Sequence, residues 1–240
     1  MNDLEHSLQR SNAEVKLIVT DGVFSMDAEV APLPELFLLA KKYGATLCLD
    51  DCHATGVIGK SGCGTEEYHD MIGSVDIITS TLSKGLGDAC GGFVAGSKNL
   101  IENLRRRSRS YVFSTALPPS TVAGAMKALQ LIKEDKSILT RLHKNAKFFR
   151  AGMQSAGFEV KGTDHPICPV MIRDDMLTWK VAEHLQENGV WVPWIIRPVS
   201  AEGEQKIRLI INSAHTAEEM KNVLKIFIEA KERFLSVTHR

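Results

Sequence analysis

The sequence predicts an α/β protein in two parts, and three observations carry that expectation. Short apolar runs alternate with amphipathic stretches. The runs in the first half are continuous rather than alternating, the pattern of a mainly parallel sheet covered on both faces. After Pro118-Pro119 the pattern changes to two long helices followed by shorter strands, which suits a smaller α+β unit.

The elements follow in order. Residues 15–20 (VKLIVT) read as a strand ending at Asp21-Gly22. Residues 33–43 read as a helix begun by prolines and closed by Gly44. Residues 45–50 (ATLCLD) and 75–82 (VDIITSTL) are strands, and 98–107 is a helix whose basic end suits its C-terminal dipole. Beyond the prolines, helices are expected at 120–135, 138–156, 177–188 and 216–234. Shorter strands are expected at 158–160, 169–172, 190–195 and 207–211. The domain division is expected at 1–117 and 118–240.

Composition narrows the function classes. Lys+Arg and Asp+Glu are both 29, so a formal net charge of zero argues against nucleic acid or an anionic membrane as main partner. Five cysteines, an odd number, argue against a disulfide framework and for a reducing compartment, so the chain reads as not secreted. No apolar run approaches the roughly 20 residues of a membrane helix.

Reactive side chains cluster at strand ends: Ser25 after the first, Asp50 and His53 after the second, Thr81 and Lys84 after the third. Ligands of open α/β sheets sit outside those ends. Lys84, in STLSKGLG (80–87), reads either as a solvated loop lysine or as an amine made nucleophilic by a partly dry pocket. Asp50 ends an apolar strand, where a carboxylate needs a cationic partner or caps a turn. Arg208, inside KIRLII (206–211), reads as a bidentate carboxylate binder or as a solvent-facing edge residue.

Other motifs fall away. GVIGKSGCGT (56–65) has Ala54 where a phosphate-binding loop needs its first glycine. Cys48, Cys52 and His53 are too close together for a zinc finger, and no metal is expected. RRRSR (105–109) reads as a solvated helix end, and His165 as a turn residue before Pro166.

Taken together, TDGVFSMD (20–27), DDCHATG (50–56), STLSKGLG (80–87) and IRL with SAHT (207–216) resemble the α-oxoamine synthases. These are fold-type I pyridoxal-phosphate enzymes that join an amino acid to an acyl-CoA. YVFSTALPP (111–119) and DHPICPVM (164–171) are most similar to the glycine C-acetyltransferase branch. The resemblance implies a partial fold-type I large domain over 1–117 with a mainly parallel sheet, then the smaller α+β domain. It implies pyridoxal 5'-phosphate as cofactor, glycine and acetyl-CoA as substrates, a homodimer, and a place in threonine catabolism. The compartment implied is cytoplasm or mitochondrial matrix.

The same resemblance implies residue roles. Lys84 holds the cofactor as a Schiff base and moves the α-proton; Asp50 pairs with the pyridinium nitrogen. His53 and Ser25 contact the phenolic oxygen, and Thr81 binds the phosphate. Ser114 reaches the phosphate of a neighbouring subunit's cofactor, and Arg208 takes the substrate carboxylate. Three departures stand out. NDLEH (2–6) matches a point well inside the family's cofactor domain, so an N-terminal part that helps grip the phosphate is expected to be absent. Asp88 replaces a usual glycine near Lys84, and RPVSAEGE (197–204) lacks the usual Pro-rich approach to the arginine. The rival readings are another acyl transfer or an aminotransfer on the same fold, or a silent homologue serving as a binding or dimerisation partner.

Overall fold

A computed structural model describes residues 1–87 and 90–235 of the chain. It divides into two compact units: Met1–Phe24 with Val30–Leu139, and Ser25–Glu29 with Thr140–Arg240.

The first unit is built on a sheet of β1 (Leu17–Asp21), β4 (Thr46–Asp50), β5 (Ile77–Thr81) and β6 (Gly92–Gly96), in that spatial order. β1, β4 and β5 run parallel, and β6 is antiparallel to β5. Between β1 and β4 in the chain come the short β2 (Val23–Phe24) and β3 (Glu29–Val30), then α2 (Leu33–Tyr43). Proline in its first turn starts α2, and Gly44 in the left-handed region at φ 61° ends it. Leu33, Leu36 and Ala40 line its buried stripe. They pack with Leu47 of β4, Ile18 of β1 and Leu8 of α1 (Asn2–Arg10).

Only one face of this sheet is covered by that core. β4 alternates, with Leu47 and Leu49 buried and Cys48 and Asp50 half-buried on the other side. Leu17 and Val19 of β1 are 55% and 64% exposed. The expectation of two covered faces is therefore corrected for β1. The remaining elements of the unit are α3 (Thr65–Tyr68), α4 (Lys98–Arg107), α5 (Arg109–Val112) and α6 (Pro119–Glu134). β6 carries little strand signal, because glycines open and close it.

The second unit has an antiparallel sheet in the order β7 (Ile167–Met171), β9 (Lys206–Ile210), β8 (Trp194–Ile195). Every residue of β7 is buried. Its edge position accommodates Pro169, which has no amide hydrogen to donate. Two expected strands shrink. Residues 158–160 reduce to one bridge, Val160 to Val170, and 190–195 to Trp194–Ile195, directly after Pro193.

Helices α7 (Ser137–Ser155), α8 (Asp175–Glu187) and α9 (Ala217–Ala230) supply the second core through Phe149, Met153, Val181, Leu185 and Phe227. Asp174 caps α8, and Thr216 with Glu219 forms a reciprocal capping box on α9. Phe227 is fully buried and meets Phe158 edge-on, with centroids 5.6 Å apart. Phe227→Ala should therefore cost about 3–5 kcal/mol. Chemical denaturation followed by far-UV circular dichroism checks this; an unchanged midpoint would show that Phe227 does not hold the second core together.

Candidate active site

The parallel run of β1, β4 and β5 brings three chain segments to one sheet edge. Asp21 pairs in register with Asp50, and Asp50 with Thr79. In-register residues of neighbouring strands share a face, about 5 Å apart. Two carboxylates and a hydroxyl thus stand side by side, with Lys84 beyond the end of β5.

The two aspartates at 50 and 51 do different work. Asp51 turns inward, 2% exposed, and accepts bonds from the Thr65 hydroxyl at 2.6 Å and the Thr65 amide at 3.1 Å. A Cβ at Gly22 would collide with that same pair, so only glycine fits after Asp21. Asp50 stays at the edge. Its Oδ1 accepts the Cys52 amide at 3.0 Å. Burial pulls its pKa up, but bonds from Cys52 and Thr79, with the Lys84 charge, outweigh it and hold the carboxyl below its ordinary value. Asp21 goes the other way, raised by burial and then by the Asp50 charge, with Lys84 offsetting part. The Cys52 thiol is pushed up to about 11 by burial and its bond to Asp50.

Lys84 is exposed, on a turn that Gly85 presses onto the neighbouring loop. A Cβ on Gly85 would lie 2.5 Å from the Thr55 carbonyl oxygen and 2.8 Å from Val57 Cγ2. That close approach fixes the Lys84 turn beside the loop carrying half-buried His53. The Thr81 hydroxyl donates to the Gly91 carbonyl at 3.0 Å and accepts the Ser83 amide at 3.2 Å. Asp88 lies outside the described residues.

The other expected residues lie elsewhere. Ser25 and Arg208 both fall in the second unit, where Arg208 Nη1 donates to the Ser25 carbonyl at 3.1 Å. Arg208 Nε is buried with no protein acceptor. Lys206, 4% exposed at its side chain, pairs with Asp27 at 2.6 Å and ties the Ser25–Glu29 segment to β9. Arg208 also borders a cleft of about 500 Å³ with His215, Glu219 and Trp191. Ser114 sits on the exposed 111–120 segment of the first unit, near Phe113, which is 80% exposed. His165 is buried, and its Nδ1 accepts the Ile167 amide at 3.0 Å, as a turn residue does.

Sequence reasoning missed Asp21, Thr79 and Lys206. Asp21 ends an apolar run just as Asp50 does, so its signal was present. Thr79 and Lys206 gain meaning only through strand register and a distant partner. Among the described residues, no three metal-ligating side chains converge.

A parallel sheet with a carboxylate and an amine at its strand ends defines a class, and comparison with known proteins agrees. Residues 1–227 match the family model for aminotransferase class I and II, and the chain belongs to that family. It is 42% identical over 230 residues to the mitochondrial 2-amino-3-ketobutyrate coenzyme A ligase of Mus musculus, and 43% to the same ligase of Escherichia coli K12. Each alignment covers 95% of this chain but only 55% and 58% of those proteins. The solved structure of SPT with PLP internal aldimine superposes with a TM-score of 0.93 at 31% identity, over 98% of this chain and 60% of that one. The fold is thus that of a partial pyridoxal-phosphate transferase of fold-type I.

The split between the carboxylates is measurable. In carbon-13 spectra of Cγ-labelled aspartate, Asp50 should titrate below and Asp21 above the ordinary value of ~4. Asp50→Asn should lower the Asp21 midpoint, because the charge that raised it is gone. An unmoved Asp21 midpoint would show that the two do not interact. Because its folded value is the lower one, the Asp50 contribution to stability is complete above the ordinary value and is lost as pH falls through the folded one.

Proposed function

We propose that this chain is the lysine-bearing part of a pyridoxal-phosphate-dependent acyltransferase that condenses glycine with acetyl-CoA to give 2-amino-3-ketobutyrate and CoA. The observation that carries the reading is Asp50 at a strand end, its carboxylate accepting the Cys52 amide at 3.0 Å, with Lys84 just beyond the end of the neighbouring parallel strand. A carboxylate already oriented by the Cys52 amide suits a protonated ring nitrogen. An exposed primary amine suits a carbonyl-bearing cofactor. The buried Arg208 Nε, without an acceptor, suits a substrate carboxylate. The residues therefore fit the cofactor and the amino acid.

When bound, the cofactor supplies an electron sink for the substrate α-carbon. The chain's own residues do the rest. Lys84 anchors the cofactor and, once released, its Nζ takes the proton from the glycine α-carbon. The Asp50 carboxylate keeps the proton on the ring nitrogen. His53 and the Ser25 hydroxyl orient the ring through its phenolic oxygen, Thr81 meets the phosphate, and Arg208 holds the glycine carboxylate. A carbon–carbon bond to the acetyl group forms, the thioester bond breaks, and the proton leaves with the CoA thiol. Ser114, on an exposed apolar segment with Tyr111 and Phe113, serves the cofactor of a second copy in a homodimer. The compartment that goes with this reading is cytoplasm or mitochondrial matrix. Among the described residues no helix is long and apolar enough to cross a membrane.

The exposed Tyr111, Val112 and Phe113 also favour a second reading, a chain that binds a partner subunit without turnover. Absorbance separates the two. Added pyridoxal phosphate should give a visible protein-bound band that Lys84→Ala abolishes, and glycine with acetyl-CoA should then release free thiol. A band without thiol release supports the silent partner. Release only with alanine and a longer acyl-CoA moves the substrate assignment to another acyl transfer. Arg208→Lys should raise the KM for glycine about tenfold or more, since the planar fork is lost while the charge stays. An unchanged KM would displace Arg208 from the carboxylate site.

A further inference from the structure

We propose that Lys206 is a positioning residue for substrate recognition. By holding Asp27 in an ion pair, it keeps that carboxylate off Arg208 and leaves the Arg208 guanidinium open to a ligand carboxylate. The proposal rests on the reading above that Arg208 takes the glycine carboxylate.

Lys206 and Arg208 stand two positions apart on β9, so their side chains leave the same face of the strand, while Ile207 and Leu209 enter the core. Both reach the Ser25–Glu29 segment. Arg208 Nη1 donates to the Ser25 carbonyl at 3.1 Å and lies 3.9 Å from Met26 Sδ. The next residue is Asp27, and a guanidinium bonds a carboxylate more strongly than a carbonyl. Yet Arg208 Nε stays buried with no protein acceptor. Lys206 accounts for that, because its Nζ lies 2.6 Å from Asp27 Oδ1. The surrounding charges complete the arrangement. Lys161 Nζ stands 3.7 Å from the same Asp27 oxygen and 2.6 Å from Glu204, and Glu204 lies 3.8 Å from Lys206. Two ammoniums and two carboxylates thus satisfy one another, with no negative charge left over for Arg208.

The place of the segment does not depend on Lys206 alone. Gly162 approaches so closely that a Cβ there would lie 2.6 Å from the Asp27 carbonyl oxygen and 2.7 Å from Ala28 Cβ. Ala28 is fully buried. Loss of the Lys206 charge therefore leaves Asp27 beside Arg208 rather than releasing it. Lys161 remains, but its side chain is 28% exposed against 4% for Lys206, and a wetter ion pair holds less firmly. Asp27 then turns to Arg208, and the substrate carboxylate meets an arginine already neutralised.

Lys206→Met keeps the length of the side chain and removes its charge, and Asp27→Asn removes the competing carboxylate. The Arg208 Nε–H signal in proton–nitrogen spectra is assigned by its loss in Arg208→Lys. Lys206→Met should shift that signal downfield, as a new bond to a carboxylate does. Lys206→Met/Asp27→Asn should return it toward wild type. These spectra need no cofactor. In turnover, Lys206→Met should raise the KM for glycine about tenfold with kcat within about twofold, since only carboxylate binding is lost. The double variant should recover most of that loss. A purely structural lysine predicts the opposite, a double variant at least as impaired as the single one. An Arg208 signal that stays put in Lys206→Met, or a double variant that does not recover the KM, overturns the proposal. Circular dichroism checks that each variant is folded, and Lys206→Gln replaces Lys206→Met if the latter unfolds. If the wild-type chain shows no turnover of glycine with acetyl-CoA, the proposed function fails, and the spectra still decide whether Lys206 keeps Asp27 from Arg208.

Discussion

Parallel register between β1, β4 and β5 is the constraint on which the first cluster depends. In a parallel sheet all carboxyl ends lie on one edge, so each strand delivers its following residues to the same place. Leu17 opposite Thr46 fixes Asp21 opposite Asp50, and Cys48 opposite Ile77 fixes Asp50 opposite Thr79. A slip of one residue would turn Asp50 to the buried face and Leu49 out of it. The packing of Leu47 with Ile18, Leu33 and Leu36, and the burial of Leu49 on the same side of β4, forbid that slip, so the hydrophobic core sets the chemistry at the edge.

Close backbone approach converts this alignment into fixed positions. Gly22 lets β1 end hard against the Asp51–Thr65 pair, and Gly85 lets the Lys84 turn rest on the Thr55 carbonyl. Consecutive aspartates then divide their labour by pleat. Asp51 satisfies the amide and hydroxyl of Thr65 and is spent on structure. Asp50, pointing the other way, keeps its charge at the edge. The opposite pKa displacements of Asp21 and Asp50 follow from donors reaching one and not the other.

How much of this was legible depended on whether the signal was local. The helix at 33–43 was readable to the residue because prolines start it and Gly44 ends it, and the basic end of 98–107 marked that helix equally well. β6 was invisible because glycines carry no strand preference, and residues 158–160 failed as a strand because only Val160 finds a bridging partner. Lys84 and Asp50 stood out because polar groups end apolar runs. Lys84 alone still reads as a loop lysine; its place in an ordered set of motifs, 34 residues after Asp50, gives it weight. Thr79 lies inside such a run and reads as an ordinary strand threonine, since what distinguishes it is the neighbour that register supplies.

The second cluster shows the same dependence at longer range. Ser25 and Arg208 are 183 residues apart, yet an Arg208 guanidinium nitrogen donates to the Ser25 carbonyl. The segment that bears Ser25 is held by charge: buried Lys206 meets Asp27 at 2.6 Å, and Lys161 bridges Asp27 and Glu204 at 3.7 and 2.6 Å. An ammonium as buried as that of Lys206 is costly unless paired, and if the Ser25–Glu29 segment left β9 it would lose its nearer partner Asp27 and keep only Glu204 at 3.8 Å. Arg208 is thereby oriented with one nitrogen committed to Ser25 and Nε left facing no protein acceptor. A buried guanidinium nitrogen without a partner costs on the order of 1–3 kcal/mol. The ligand carboxylate proposed for Arg208 would offset that cost, which is why this unsatisfied atom, rather than the bond to Ser25, supports the proposal.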